Sequence, residues 1–306
     1  MSKVYLPIQP PENVLASSQP ELTESQKEMQ QAVTTHFETS EYDSLMDVEK
    51  MWLSYECILR FLRGSKWKVD VAITRLNATL KWRREYGVYD TLSAENIEPE
   101  AVTGKQVLLG FDTANRPALY LIPSRQNTTN TVTQIQFSVW MLERCIDLMP
   151  PNVESLDLLI NFADKAKNPS LGTARGWLSI LQDHYPERLG LALVIKVPFI
   201  LTSFFTLISP FIDPVTRNKI KFNPKVMQDK IFEPEMVMSE WWDGACNFEY
   251  DHGKYWPALV SLCKDRTELW TANWRKLGGK VGVKELDYKT GTGVLEAPSD
   301  AVDPTQ

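Results

Sequence analysis

Two nearly continuous apolar runs, LDLLINF at 156–162 and LGLALVIKV at 189–197, constrain this chain more than anything else in it. Runs of this kind read as strands buried on both faces rather than strands with one wet face. The stretch between them, 174–185, reads as a helix. Strand, helix and strand in that order argue for a crossover between parallel strands, with helices covering the sheet.

The remaining pattern adds helices ahead of that unit and a hairpin beside it. Trp52–Arg63 sets Tyr55, Ile58, Leu59 and Leu62 on one face and places Glu56 and Arg60 as an i,i+4 pair on another, before Gly64 and Ser65 end it. Val69–Tyr86 carries the stripe Val69, Ile73, Leu76 and Leu80 and stops at Gly87. Gln106–Phe111 and Pro117–Ile122 flank DTANR as a hairpin. Val132, Ile135, Val139, Leu142, Ile146 and Met149 mark an amphipathic helix ended by Pro150 and Pro151. Lys219–Phe222 is a short strand, and Tyr255–Lys276 closes the fold as a long helix. The fold class that follows is α/β: a helical N-terminal subdomain, then a mixed, largely parallel sheet covered by helices. The expected limits are a flexible tail over 1–20, helices over 21–92, the sheet domain over 93–287 and a second tail over 288–306.

Between the second apolar strand and the short one lies an apolar segment, Phe199–Ser209, boxed by Pro198 and Pro210. Phe199, Ile200, Leu201, Phe204, Phe205, Leu207 and Ile208 give it its character. It is too short to span a bilayer, which needs about 20 residues. A short helix this apolar must be buried, or must cover something apolar, and composition alone leaves both open.

Charge and motifs narrow the function. The chain has 306 residues, a net charge of -6 and a pI near 5.3, which argues against a general nucleic-acid role. The N-terminus has no signal-peptide pattern, and the four cysteines lack CxxC spacing, so a cytosolic chain with reduced thiols is expected. There is no GxSxG elbow, no P-loop and no GxGxxG after a strand. Cys246 and His252 lack partners for a metal site, and His184 has no nucleophile near it by motif, so a structural role is the better reading for each. No catalytic residue, metal or cofactor is expected.

Several motifs together resemble the CRAL-TRIO family of lipid-binding proteins, and among them the fungal phosphatidylinositol transfer proteins, including the azole-tolerance branch. They are LRFLRGSKW (59–67), NRPALYL (115–121), HYPERLG (184–190), VPF (197–199) and PFIDPVTRNKI (210–220). The likeness covers roughly residues 50–265. It implies an apolar cavity floored by the sheet, holding one lipid, with helix 199–209 as its lid. In the inositol-lipid members, four motif positions hold the headgroup; here these are Lys66, Glu187, Thr216 and Lys219. Two lysines suit one phosphodiester, and a glutamate and a threonine suit ring hydroxyls or phosphate.

The resemblance further implies a non-enzymatic protein in the cytoplasm that visits membranes reversibly, at the endoplasmic reticulum, endosome or lipid droplet. Phosphatidylinositol is the expected ligand, with phosphoinositide kinases as partners. Two departures bear on the ligand. Ser65 stands where many members carry arginine, and Leu156 and Leu158 stand where the choline-lipid branch uses small hydroxyl residues. With Ile160 they make the expected cavity strand apolar, which favours sterol over phosphatidylcholine as a second ligand. A sterol or neutral-lipid carrier is therefore the alternative, and an α/β enzyme acting on lipid the second.

Overall fold

The computed structural model describes residues 2–11, 21–163, 171–197 and 217–291, with only the backbone for 171–175. The first layer is helical: α1 (Glu24–Phe37), α2 (Asp47–Trp52), α3 (Tyr55–Gly64), α4 (Val69–Glu85) and α5 (Ala94–Ala101). Its core is Val33, Phe37, Leu53, Ile58, Phe61, Leu62, Leu76 and Leu80, all nearly inaccessible to water. The helix expected over Trp52–Arg63 is in fact broken before Tyr55. The Ser54 hydroxyl accepts the Cys57 amide at 3.0 Å and caps α3, a better use of serine than a helix interior.

The Glu56–Arg60 pair also departs from expectation. Both side chains are buried, and they turn to Glu154 and Glu285 rather than to each other. The Glu56 carboxylate accepts the Glu285 amide at 2.7 Å, while Arg60 donates to Glu154 at 2.9 Å and to Glu285 at 3.2 Å. The face that reads as wet is an interface, because α3 packs between the first layer and the chain's C-terminal helices.

The sheet has five strands in the order β1-β2-β3-β4-β5: β1 (Gln106–Phe111), β2 (Pro117–Leu121), β3 (Leu156–Asn161), β4 (Leu189–Ile195) and β5 (Ile220–Phe222). The β1–β2 hairpin is antiparallel and every other pairing is parallel, so the sheet is mixed and largely parallel. Helix α6 (Thr131–Leu148) bridges β2 to β3, and α7 (Leu171–His184) bridges β3 to β4. The long α8 (His252–Lys276) lays Tyr255 against β1, where its hydroxyl donates to the Leu108 carbonyl at 2.8 Å and accepts the Leu108 amide at 2.7 Å. A last short helix, α9 (Glu285–Thr290), buries Tyr288.

The described parts of the two expected tails, 2–11 and 288–291, carry structure. Val4 pairs with the 247–249 segment through Val4 N to Asn247 O and Glu249 N to Val4 O, each 2.9 Å, and Tyr5 packs under the Lys254 ammonium. Residues 12–20 and 292–306, the rest of the two expected tails, lie outside the described residues. So do the apolar segment 199–209 and Thr216.

Parallel register gives the sheet one apolar face. Leu119 pairs with Leu158 and Leu121 with Ile160; those pair with Ala192 and Val194, which pair in turn with Ile220 and Phe222. Partners in register share a face, so eight apolar side chains floor the sheet across four strands. Burial loosens along this floor, from Leu119 at 0% exposed to Phe222 at 41%. The other face carries Tyr120, Leu159 and Leu193, all at or below 1% exposed.

Candidate lipid-headgroup site

The candidate site lies where the first helical layer meets the amino ends of β3, β4 and β5. Helix α3 stops at Gly64, and a Cβ there would stand 3.1 Å from Pro186 Cβ, so the α3 terminus sits directly on the Tyr185-Pro186-Glu187 turn. Arg75 of α4 locks the two together. It donates to the Gly64 carbonyl at 3.0 Å and to the Gln182 carbonyl at 2.8 Å, satisfying acceptors left open at the ends of α3 and α7. Lys66 follows two residues later, exposed, in left-handed backbone at φ 53°, with Trp67 next to it at φ 60°. Two successive residues in this region carry a conformational cost of roughly 1–2 kcal/mol each, a cost met where the surrounding structure dictates the turn. The Ser65 hydroxyl is buried with no hydrogen-bond partner.

The turn that carries Glu187 is held from beneath. Glu187 takes φ 62° and stays exposed, while Arg188 points inward and is 7% exposed. Arg188 donates to the Glu154 carbonyl at 2.8 Å, and its own carbonyl accepts the Leu156 amide at 2.9 Å. Glu187 and Arg188 therefore form no surface pair with each other. Tyr185 donates its hydroxyl to Glu143 at 2.6 Å, and Arg83 clamps the same carboxylate at 2.8 and 2.9 Å. Burial alone would raise the Glu143 carboxyl; Arg83 and the Tyr185 hydroxyl override it and hold it at about 2.

Lys219 closes the third side. It is half-buried just before β5, and its ammonium donates to the Leu189 carbonyl at 2.7 Å. The segments bearing Lys66, Glu187 and Lys219 are thus brought together at one end of the sheet. Leu156, Leu158 and Ile160 alternate along β3 on the side of its apolar floor.

His184 is engaged by its neighbours. Its ring stacks on Trp82 with centroids 4.1 Å apart and planes 9° apart, and Nδ1 meets the Thr79 hydroxyl at 3.0 Å. Burial pushes its pKa down, which keeps it neutral. His252 is engaged by Tyr250 and Glu98, each at 3.0 Å. All four cysteines are buried and free.

One cluster beneath the site escaped the motif reading. Asp112 and Asp157 share Arg116, which reaches Asp112 Oδ2 at 2.7 Å through Nε and Asp157 Oδ1 at 3.3 Å. Asp157 also accepts the Leu191 amide at 2.7 Å. Burial, and then the Asp112 charge, raise the Asp157 carboxyl to about 8 against the pull of Arg116. A Cβ on Gly190 would stand 2.5 Å from Asp157 Oδ1, so only glycine lets the YPERLG turn approach this cluster. The one available sequence signal was an aspartate inside an otherwise apolar strand.

These features define a class: an α/β domain with a helical N-terminal layer, an apolar sheet face, and a charged rim where the two layers meet. The CRAL/TRIO domain model matches residues 101–241, and the CRAL/TRIO N-terminal domain model matches residues 28–78. A CRAL-TRIO domain-containing protein of Schizosaccharomyces pombe is 48% identical over 269 residues, covering 87% of this chain and 26% of that protein. This chain thus spans about a quarter of that relative's length. The phosphatidylinositol transfer protein PDR17 of Saccharomyces cerevisiae is 36% identical over 316 residues, covering 92% of this chain and 88% of PDR17. The crystal structure of Sfh5 superposes with a TM-score of 0.59 over 82% of this chain and all of that one, at 15% identity, a likeness of fold. The chain belongs to the CRAL-TRIO family.

Proposed function

We propose that this chain is a non-enzymatic carrier that takes one phosphatidylinositol molecule from a membrane, encloses it and delivers it to another membrane or to a phosphoinositide kinase. The observation that carries the reading is the meeting of the Lys66, Glu187 and Lys219 segments at one end of an apolar sheet face. Exposing acyl chains costs about 0.8 kcal/mol per CH₂. Two long chains must therefore be enclosed by apolar surface, while one anionic phosphodiester needs cations at the rim. The four-strand floor supplies the first requirement and the lysines the second. Thr216 completes the headgroup set, and the apolar segment 199–209 covers the chains. The kinship with PDR17, a phosphatidylinositol transfer protein, supports the ligand.

In this reading residues 21–92 form the helical subdomain and 93–287 the lipid-binding domain. No helix among the described residues is long and apolar enough to cross a membrane, in keeping with a carrier that visits membranes reversibly from the cytoplasm. Native mass spectrometry of protein purified from cells tests the proposal: a stoichiometric phosphatidylinositol adduct is expected, and an empty cavity overturns it.

A second reading, a sterol carrier, is favoured by one observation. Leu156 and Leu158 make the start of β3 wholly apolar on the floor side, and Ser65 adds no charge at the rim. A sterol adduct in place of the phospholipid, undisplaced by phosphatidylinositol, would favour it.

A further inference from the structure

Charge is distributed unevenly around β5. The chain as a whole carries -6, yet residues 217–230 hold Arg217, Lys219, Lys221, Lys225 and Lys230 against one carboxylate, Asp229. Lys196, at the end of β4, joins them, because its amide donates to the Asn223 side chain at 3.0 Å. Lys196, Lys221, Lys225 and Lys230 are exposed, and none of these four takes part in an ion pair among the described residues. In their midst Phe222 is 41% exposed at the sheet edge. Lys219 has its own task on the Leu189 carbonyl.

We propose that this β5 edge, with Lys196, Lys221 and Lys225 around Phe222, is a docking surface for the anionic face of a lipid bilayer. Lysines near a negatively charged membrane gain electrostatic attraction that decays within a Debye length. An exposed aromatic ring flanked by cations can enter the headgroup layer. Only an anionic surface complements a basic patch on an acidic protein, whose remaining surface is repelled by it. Edge-strand lysines also discourage pairing between sheets. That role accounts for Lys221, but not for Lys196 or Lys225, which lie outside β5, nor for an exposed phenylalanine at the edge. The proposal rests on the carrier reading only in that the chain must visit bilayers, and the two are read out separately.

The test is co-sedimentation of the full chain with phosphatidylcholine vesicles, with and without phosphatidylserine. Phosphatidylserine is expected to strengthen binding by at least about tenfold, and added salt to reverse the gain. Lys221→Glu with Lys225→Glu should abolish most of the phosphatidylserine-dependent binding, while phosphatidylinositol loading by native mass spectrometry is unchanged. Wild-type protein that ignores phosphatidylserine, or a charge-reversed variant that binds as well as wild type, overturns the proposal. Should the variant lose its folded circular dichroism, the wild-type salt titration decides alone, and salt-insensitive binding overturns it. Loaded protein without phosphatidylserine preference defeats the docking surface only; a preference with no cargo defeats the carrier reading only.

Discussion

The Lys219 ammonium rests 2.7 Å from the carbonyl oxygen of Leu189, so a half-buried cation is fixed two residues beyond Glu187 in the turn that begins β4. One carbonyl uses one of its three donors. In the proposed carrier the others serve the anionic headgroup.

Lys219→Ala should therefore lower phosphatidylinositol transfer between vesicles by about tenfold or more, because a charged hydrogen bond is worth about 1.5–3 kcal/mol. Adding Thr216→Asp, at a position proposed for the headgroup set, should abolish it, because a new carboxylate there would repel the phosphate. Circular dichroism of both variants should match wild type, and transfer that is unchanged would remove the site assignment.

Arg60→Ala should lower unfolding stability by about 1–3 kcal/mol, because Glu154 and Glu285 lose a buried cation while keeping Arg63 at 3.0 Å and Lys289 at 2.8 Å. The i,i+4 pair Lys81–Glu85 is largely exposed, and Lys81→Ala should leave the urea midpoint almost unmoved. Urea titrations of the two variants set a buried cation against an exposed one.

Stability should fall as pH rises from mildly acidic to alkaline. Burial, and then a neighbouring carboxylate, raise Asp157 to about 8 and Glu56 to about 7, so between their ordinary values and these the folded state holds protons the unfolded state has lost. Their contribution is complete below about pH 4 and lost as pH passes 7 to 8. Glu143 works the other way: held at about 2, it contributes above its ordinary value and loses that contribution as pH falls towards 2. A melting-temperature maximum near pH 5 is expected from thermal scans across pH. Asp157→Asn should flatten the alkaline limb, and an unchanged limb would show that Asp157 is ionised in the folded protein.

Gly190→Ala should destabilise the protein by about 1–3 kcal/mol, since its new methyl meets Asp157 Oδ1 at 2.5 Å and Arg116 Cδ at 2.7 Å. Thermal unfolding measures this. The same variant should also transfer less lipid, because the displaced turn carries Glu187.

The strands were legible because burial on both faces leaves a compositional trace: LDLLINF and LGLALVIKV both became central strands. The positions proposed for the headgroup were singled out only by joint spacing of motifs. Lys66 in isolation is one more exposed lysine at a helix end, and Glu187 one more exposed glutamate. The Glu56–Arg60 pair misled because helical periodicity assigns charged residues to a wet face, and it cannot register a second layer packing on that face. Ser54 was read as helix interior although its side chain was a ready cap. The Asp112–Arg116–Asp157 cluster was hidden because its members come from the hairpin and β3, brought together by parallel pairing.

The sequence by itself determined the α/β order of elements, the apolar character of the sheet and the family, because hydrophobic periodicity and motif spacing are properties of the chain read in one dimension. Tertiary structure alone decided that the α3 terminus lies on Pro186, that Arg188 turns inward while Glu187 faces out, and that Lys219 reaches Leu189. Each of those contacts joins residues far apart in sequence, and its energy depends on distance and burial, quantities that exist only once the layers have packed.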